Sequence, residues 1–195
     1  MTMQIHGWFP RPICVLDNAL TDELASFENR TKELVSQKSY RNTVLSVDST
    51  HTTNGNLHLD PIFKSLVSLI YSTAREFMQE IGYYQYLNSI KINSMWTNIS
   101  REGDFLYPHI HGSSLISGAY YIKAPVDSKI KFFNNITDMV PPASNPSPFT
   151  QSYCEYECNP GRLIMFRSDF LHGTGKQSAG EKIVISFNIS TGIYE

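Results

Sequence analysis

Nowhere in the chain does an apolar run approach the ~18 residues that would span a bilayer. Charge is scarce too: charged residues make up 17% of the chain and nearly cancel, to a formal net charge of -2. The basic residues are dispersed and form no stripe of the kind a phosphate backbone demands, which argues against nucleic acid as a partner. Cysteine is rare and odd in number. Cys14, Cys154 and Cys158 include one C-x3-C pair with no second pair to complete a zinc site, so reduced thiols are expected. The opening stretch, Met1 to Asp17, lacks the basic end and apolar core of a secretory signal. These absences point to a soluble, cytoplasmic protein that binds neither membrane nor nucleic acid.

What is present is enough apolar and aromatic residue, 41% and 12% of the 195 residues, to bury roughly 70% of the surface an unfolded chain exposes. A single domain over 1–195 is expected, with a helical buttress in about 1–85 and a β core in about 86–195. Thr21 is placed to cap a first helix running to about Ser36, with Leu24, Phe27, Leu34 and Val35 on its apolar side. A stronger helix follows. Asp60 suits the cap and Pro61 the first helical position; Phe63, Leu66, Val67, Ile70, Ala74, Phe77 and Ile81 then recur at helical spacing until Gly82. From Tyr86 the period changes to short apolar or alternating runs at 86–99, 104–111, 115–124, 128–133, 161–168 and 181–190, with further strands near 12–16 and 43–47. This pattern predicts a mainly β, jelly-roll-like double sheet with flanking helices. The stretch Asn134 to Pro160 holds five of the ten prolines and reads as a lid or binding loop.

Among strand-like sequence stands His109-Ile-His111. Side chains two apart on an extended strand share a face, so both imidazoles reach one point, and His172, about sixty residues on, can supply a third ligand from a distant strand. A lone histidine on a strand is usually an ordinary polar residue; His6, His51 and His58 have no partner at such spacing. The trio reads as a three-ligand metal site with open positions. Lys182 follows His172 by ten residues and starts a run whose same-face companions are Val184, Ser186 and Asn188. A lysine at a strand's start is commonly solvated. Turned inward instead, it needs an anion, because a buried charge must pair or be lost; a carboxylate would meet Lys182, with Ser186 donating a hydrogen bond. Metal, anionic co-substrate and a small reactant such as oxygen form a coherent set.

In order, Tyr107-Pro-His-Ile-His111, Ser117-Gly-Ala-Tyr-Tyr-Ile122, Gly161-Arg-Leu-Ile-Met-Phe166, His172 and Lys182 to Asn188 resemble the Fe(II)- and 2-oxoglutarate-dependent oxygenases. The likeness is to an uncharacterised, prolyl-hydroxylase-like branch found in marine bacteria and their phages, and it covers roughly residues 90 to 190. It implies a double-stranded β-helix, His109 and His172 as iron ligands, and Lys182 on the far carboxylate of 2-oxoglutarate, with Trp96, Asn98 and Tyr121 lining the pocket. The implied activity couples 2-oxoglutarate decarboxylation to hydroxylation of an unidentified substrate, an amino-acid or peptidyl residue or another small molecule, in the cytoplasm (the host's, for a phage protein). The chain departs from the family's usual His-x-Asp or His-x-Glu by placing His111 at the acidic position; His111 is expected as the third ligand. Arg101 and Arg167 are open to ion pairing or substrate contact.

Two other readings compete. Gly103, five residues, then His109-x-His111 matches the opening of the cupin signature, which suggests a three-histidine metal enzyme without 2-oxoglutarate. The Glu that signature expects is missing from Ser113, Ser114, Leu115 and Ile116, and the later motif fails around His172. The other is a non-catalytic β-sandwich serving as a structural or binding module, such as part of a phage particle.

Overall fold

The computed structural model describes residues 3–4, 9–38, 40–42, 47–134, 143–145 and 147–192. In chain order these form β1 (Ile13–Leu16), α1 (Leu24–Lys38), β2 (Tyr40–Asn42), β3 (Val47–Ser49), α2 (Lys64–Glu80), β4 (Ile90–Ser100), β5 (Ile116–Lys123), β6 (Lys129–Phe133), β7 (Tyr153–Glu157), β8 (Leu163–Arg167), β9 (His172–Thr174) and β10 (Lys182–Thr191). Seven strands make one antiparallel sheet in the order β1-β8-β5-β10-β4-β3-β2, and three make a second, β7-β6-β9. The two sheets face each other as a double-stranded β-helix.

Alternation along the central strands explains why both faces of the large sheet are buried. Tyr120, Ile122, Leu163, Met165, Ile183, Ile185 and Phe187 join a core with Phe27, Leu66, Ile70, Ala74 and Phe77 from the two helices. Their neighbours Ala119, Tyr121, Ile164, Phe166 and Val184 pack instead against Ile130 and Phe132 of β6. The face of β10 that carries Val184 therefore also turns Lys182 and Ser186 toward the space between the sheets.

Helix α2 is built as its sequence suggests. The Asp60 carboxylate accepts from the Ile62 N–H at 3.0 Å, Pro61 opens a short 3₁₀ turn, and Gly82 at φ +86° ends the run. Its buried Leu66, Ile70, Ala74 and Phe77 form one stripe, each stabilising by roughly 1.5–3 kcal/mol for the larger side chains. Helix α1 differs: Leu20, at φ 52°, precedes a 3₁₀ turn over Thr21–Glu23 with no side-chain cap, so Thr21 is inside the turn and not its cap.

The strand expected over 104–111 does not form; that segment meets β9 through an isolated bridge at His109 and hydrogen bonds between Leu106 and Thr174. Conversely, β7 lies inside the stretch read as a loop, and β1 to β3 give the N-terminal part three strands beside its helices. Residues 43–46, 135–142 and His6 lie outside the described residues. Among the described residues, no helix is long and apolar enough to cross a membrane.

Candidate metal and co-substrate site

His172 opens β9 in the small sheet, while Lys182 opens β10 in the large one, so the ligand and the lysine face each other across the sandwich and are not on adjacent strands. A four-residue turn after β8 makes the change of sheet. His109 is held against His172 by a two-way bridge, N–H to carbonyl at 2.9 and 3.0 Å, and His111 N–H donates to the Ser168 carbonyl at 2.9 Å. Gly173 lets this happen. A Cβ there would lie 2.7 Å from the Leu106 carbonyl oxygen and 3.1 Å from Pro108 N, so the segment leading to His109 closes directly over the glycine.

The three rings converge. Centroid separations are 4.4 Å for His109–His172, 5.1 Å for His111–His172 and 5.2 Å for His109–His111, and one ligand atom from each lies within 4.8 Å of the others. Nδ1 of His109 faces the Tyr107 carbonyl at 2.7 Å and Nδ1 of His172 faces the Phe170 carbonyl at 2.9 Å. A carbonyl only accepts, so Nδ1 carries the proton in both and the Nε2 lone pair is left for a metal. Burial, then the neighbouring His109, pulls His172 down to about 3; burial, His109 and His51 pull His111 down to about 4. Neutral imidazoles with fixed tautomers are what a divalent transition metal needs, so the donor set fits iron.

Around them lies a cavity of roughly 240 Å³. Asn98, Tyr121, Lys182 and Ser186, expected at a co-substrate site, all line it together with the three histidines and Trp96. Lys182 is only 4% exposed, and burial depresses its ammonium although Cys158 and Asp104 oppose the shift. Among the described residues no carboxylate forms an ion pair with it. Tyr121 is fully buried, its hydroxyl held well above the usual phenol range by burial and then by Cys158 beside it. With the Asn98 amide turned so that both ends are satisfied, its oxygen accepts from Trp96 Nε1 at 3.2 Å and its nitrogen donates to Ser49 Oγ at 2.7 Å.

Arg101 and Arg167 are not in the cavity: Arg101 pairs with Asp48, and Arg167 with Asp169 at 3.1 Å. A second hollow of about 290 Å³, bounded by Phe9, Arg11, Arg167 and Phe170, contains none of the histidines. Two lining residues were missed by sequence reasoning, Ser49 and His51. Ser49 ends β3 and His51 lies in the turn that follows, its ring tilted against Trp96 with centroids 4.3 Å apart. A solitary histidine in a polar turn carries no periodic signal that would have marked it. All three cysteines are free.

Residues 94–188, from within β4 to within β10, match the family model described as "Putative 2OG-Fe(II) oxygenase". No curated protein matches the chain. Among solved structures, the viral collagen prolyl hydroxylase of Paramecium bursaria Chlorella virus-1, in its 2-oxoglutarate complex, is 16% identical with a TM-score of 0.61, over 91% of this chain and 94% of that one. The Trichoplax adhaerens prolyl hydroxylase bound to a hypoxia inducible factor peptide fragment is 12% identical with a TM-score of 0.66, over 92% and 83%. HygX from Streptomyces hygroscopicus, with nickel, 2-oxoglutarate and hygromycin B bound, is 12% identical with a TM-score of 0.62, over 94% and 84%. At such identities these likenesses establish the fold.

Proposed function

We propose that this chain, whose residues 94–188 match the 2-oxoglutarate- and Fe(II)-dependent oxygenase model, is a non-haem dioxygenase in which His109, His111 and His172 hold the iron while Lys182, Ser186, Tyr121 and Asn98 receive 2-oxoglutarate. The observation that carries this assignment is the convergence of three histidine donors in one cavity with a buried, unpaired lysine. When bound, the metal and co-substrate together supply oxygen activation and the decarboxylation that drives hydroxylation.

The residues divide the remaining work. The Tyr107 and Phe170 carbonyls fix the proton on Nδ1 of two ligands, so neither ring has to change tautomer to bind metal. The Lys182 ammonium pairs with the carboxylate of 2-oxoglutarate remote from the metal, which removes the cost of its own burial. Ser186 and Tyr121 bring hydroxyl donors to the same anion. Leu106, Ile110, Ala119, Phe166 and Val184 wall the cavity with apolar surface and keep water from the reacting centre. In this reading residues 1–195 act as one domain in the cytoplasm, where free thiols persist. The substrate is a small molecule or a peptidyl residue, as the peptide-bound prolyl hydroxylase of the same fold suggests, and neither nucleic acid nor membrane is a partner.

Anaerobic loading with Fe(II) followed by 2-oxoglutarate titration under visible absorption tests the assignment. A metal-to-ligand charge-transfer band is expected, abolished in His172→Ala, weakened in Lys182→Ala, and accompanied by reduced iron affinity in His111→Ala. Unchanged iron affinity in the last variant would remove His111 from the ligand set.

A further inference from the structure

We propose that the primary substrate presents an anionic group, in its simplest form a carboxylate, to a pair of donors formed by Ser49 and His51; the inference deepens the site reading above and rests on it. Both residues border the cavity that holds the three histidines. Their turn is clamped to β4: Thr50 N–H donates to the Thr97 carbonyl, and Thr97 N–H to Thr50 Oγ1, each at 3.1 Å. The His51 ring lies over Trp96, which fixes its plane without using its ring nitrogens.

Hydrogen-bond accounting identifies what the pair offers. Ser49 is 2% exposed, and its Oγ already accepts twice, from His51 N–H at 3.1 Å and from the Asn98 amide at 2.7 Å. The oxygen is saturated as an acceptor, and among the described residues nothing accepts its own hydroxyl hydrogen. That hydrogen is a buried donor awaiting a partner. His51 is an exposed residue at the cavity's edge, and its ring makes no hydrogen bond to another described residue. A buried hydroxyl donor and an imidazole donor bordering the same cavity favour an acceptor-rich group.

Charge points the same way. Among the described residues the cavity is lined by one ammonium, Lys182, and by no carboxylate. The nearby acids are engaged elsewhere: both Asp104 oxygens are taken by Arg41, at 2.5 and 3.0 Å, and Asp48 pairs with Arg101. Three ligating imidazoles are neutral, so the ion and Lys182 together exceed the two negative charges of 2-oxoglutarate by one. An apolar-walled cavity holds an excess charge poorly, and a monoanionic substrate group cancels it. A substrate group bearing an ammonium or guanidinium is disfavoured by the same count.

The test uses the Fe(II)–2-oxoglutarate complex under anaerobic conditions, with acetate and its neutral isostere acetamide as probes. Acetate is expected to shift the charge-transfer band saturably without bleaching it, and acetamide to leave it unmoved. His51→Ala and Ser49→Ala should each weaken the acetate effect about tenfold, and His51→Gln, which keeps a donor, should restore part of it. Equal responses to acetate and acetamide, no acetate response, or an undiminished response in both Ser49 and His51 variants overturns the proposal. A wild-type protein that shows no band with 2-oxoglutarate overturns the site assignment itself, a separate and visible result.

Discussion

Replacing Gly173 by alanine isolates the packing that brings His109 to His172. The backbone there is not left-handed, so alanine meets no conformational penalty; what it meets is Leu106 O at 2.7 Å, with Pro108 N and Cα at 3.1 and 3.2 Å. Both are backbone and cannot swing aside. Ordinary contact for a methyl carbon against a carbonyl oxygen starts near ~3.2 Å, so the 106–108 segment must retreat by roughly 0.5 Å. That retreat stretches the paired Leu106–Thr174 and His109–His172 hydrogen bonds, which now sit between 2.9 and 3.0 Å, and carries His109 away from its companions. Overpacking of this kind costs about 1–3 kcal/mol, and a displaced ligand about 10–100-fold in metal affinity. Urea unfolding of the metal-free protein reads the first quantity and nickel or Fe(II) titration the second. Gly175→Ala is the control, since its Cβ would meet only Lys131 Cε, at 3.9 Å. Metal affinity within about twofold of wild type in Gly173→Ala would refute the claim that this contact seats His109.

Acid should unfold the metal-free protein earlier than its carboxylates alone would dictate. His111 and His172 titrate at about 4 and 3 when folded, against an ordinary 6.5. Between those values the unfolded chain holds more protons, so stability is full above pH 6.5 and falls as pH drops toward the folded values. At pH 5 the loss is about 2 kcal/mol per histidine; equal urea midpoints at pH 7 and pH 5, or a slope that survives in a His111→Asn/His172→Asn variant, would contradict it. Lys182→Met should raise the stability of the ligand-free protein, on the order of 1–4 kcal/mol, because it removes a buried charge without an anion. The same change should weaken 2-oxoglutarate about a hundredfold, measured by calorimetry on the metal-loaded protein; a destabilised variant with normal co-substrate affinity would show that Lys182 is structural.

Which features were legible in sequence follows from how each is encoded. Strands β5 and β8 lie within predicted runs, and β4 and β10 overrun theirs by one residue, because these strands are central and burial on both faces writes apolar sequence. Strand β7 was hidden: it pairs only with β6, its residues are exposed to half-buried, and Tyr153-Cys-Glu-Tyr-Glu157 therefore carries little apolar signal beside its proline-rich surroundings. The 104–111 run failed for the opposite reason. Apolar Phe105, Leu106 and Ile110 imitate a strand, yet Pro108 has no N–H to donate and the segment is held by tertiary contacts to β9 and Ser168. The histidine trio and Lys182 were legible because the order of the motifs restricts them jointly. Ser49 and His51 were not, since only the clamping of their turn to β4 brings them to the cavity.

The division of the site between two sheets has a mechanical consequence. His172 belongs to the three-stranded sheet and Lys182 to the seven-stranded one, and no strand of either pairs with a strand of the other among the described residues. On the proposed assignment, a dicarboxylate reaching from the histidines to Lys182 would act as a removable cross-tie between the two sheets. Amide exchange in β6 and β9 would then be the natural gauge of occupancy, expected to slow when 2-oxoglutarate joins the two layers and to quicken when succinate, shorter by one carbon, replaces it.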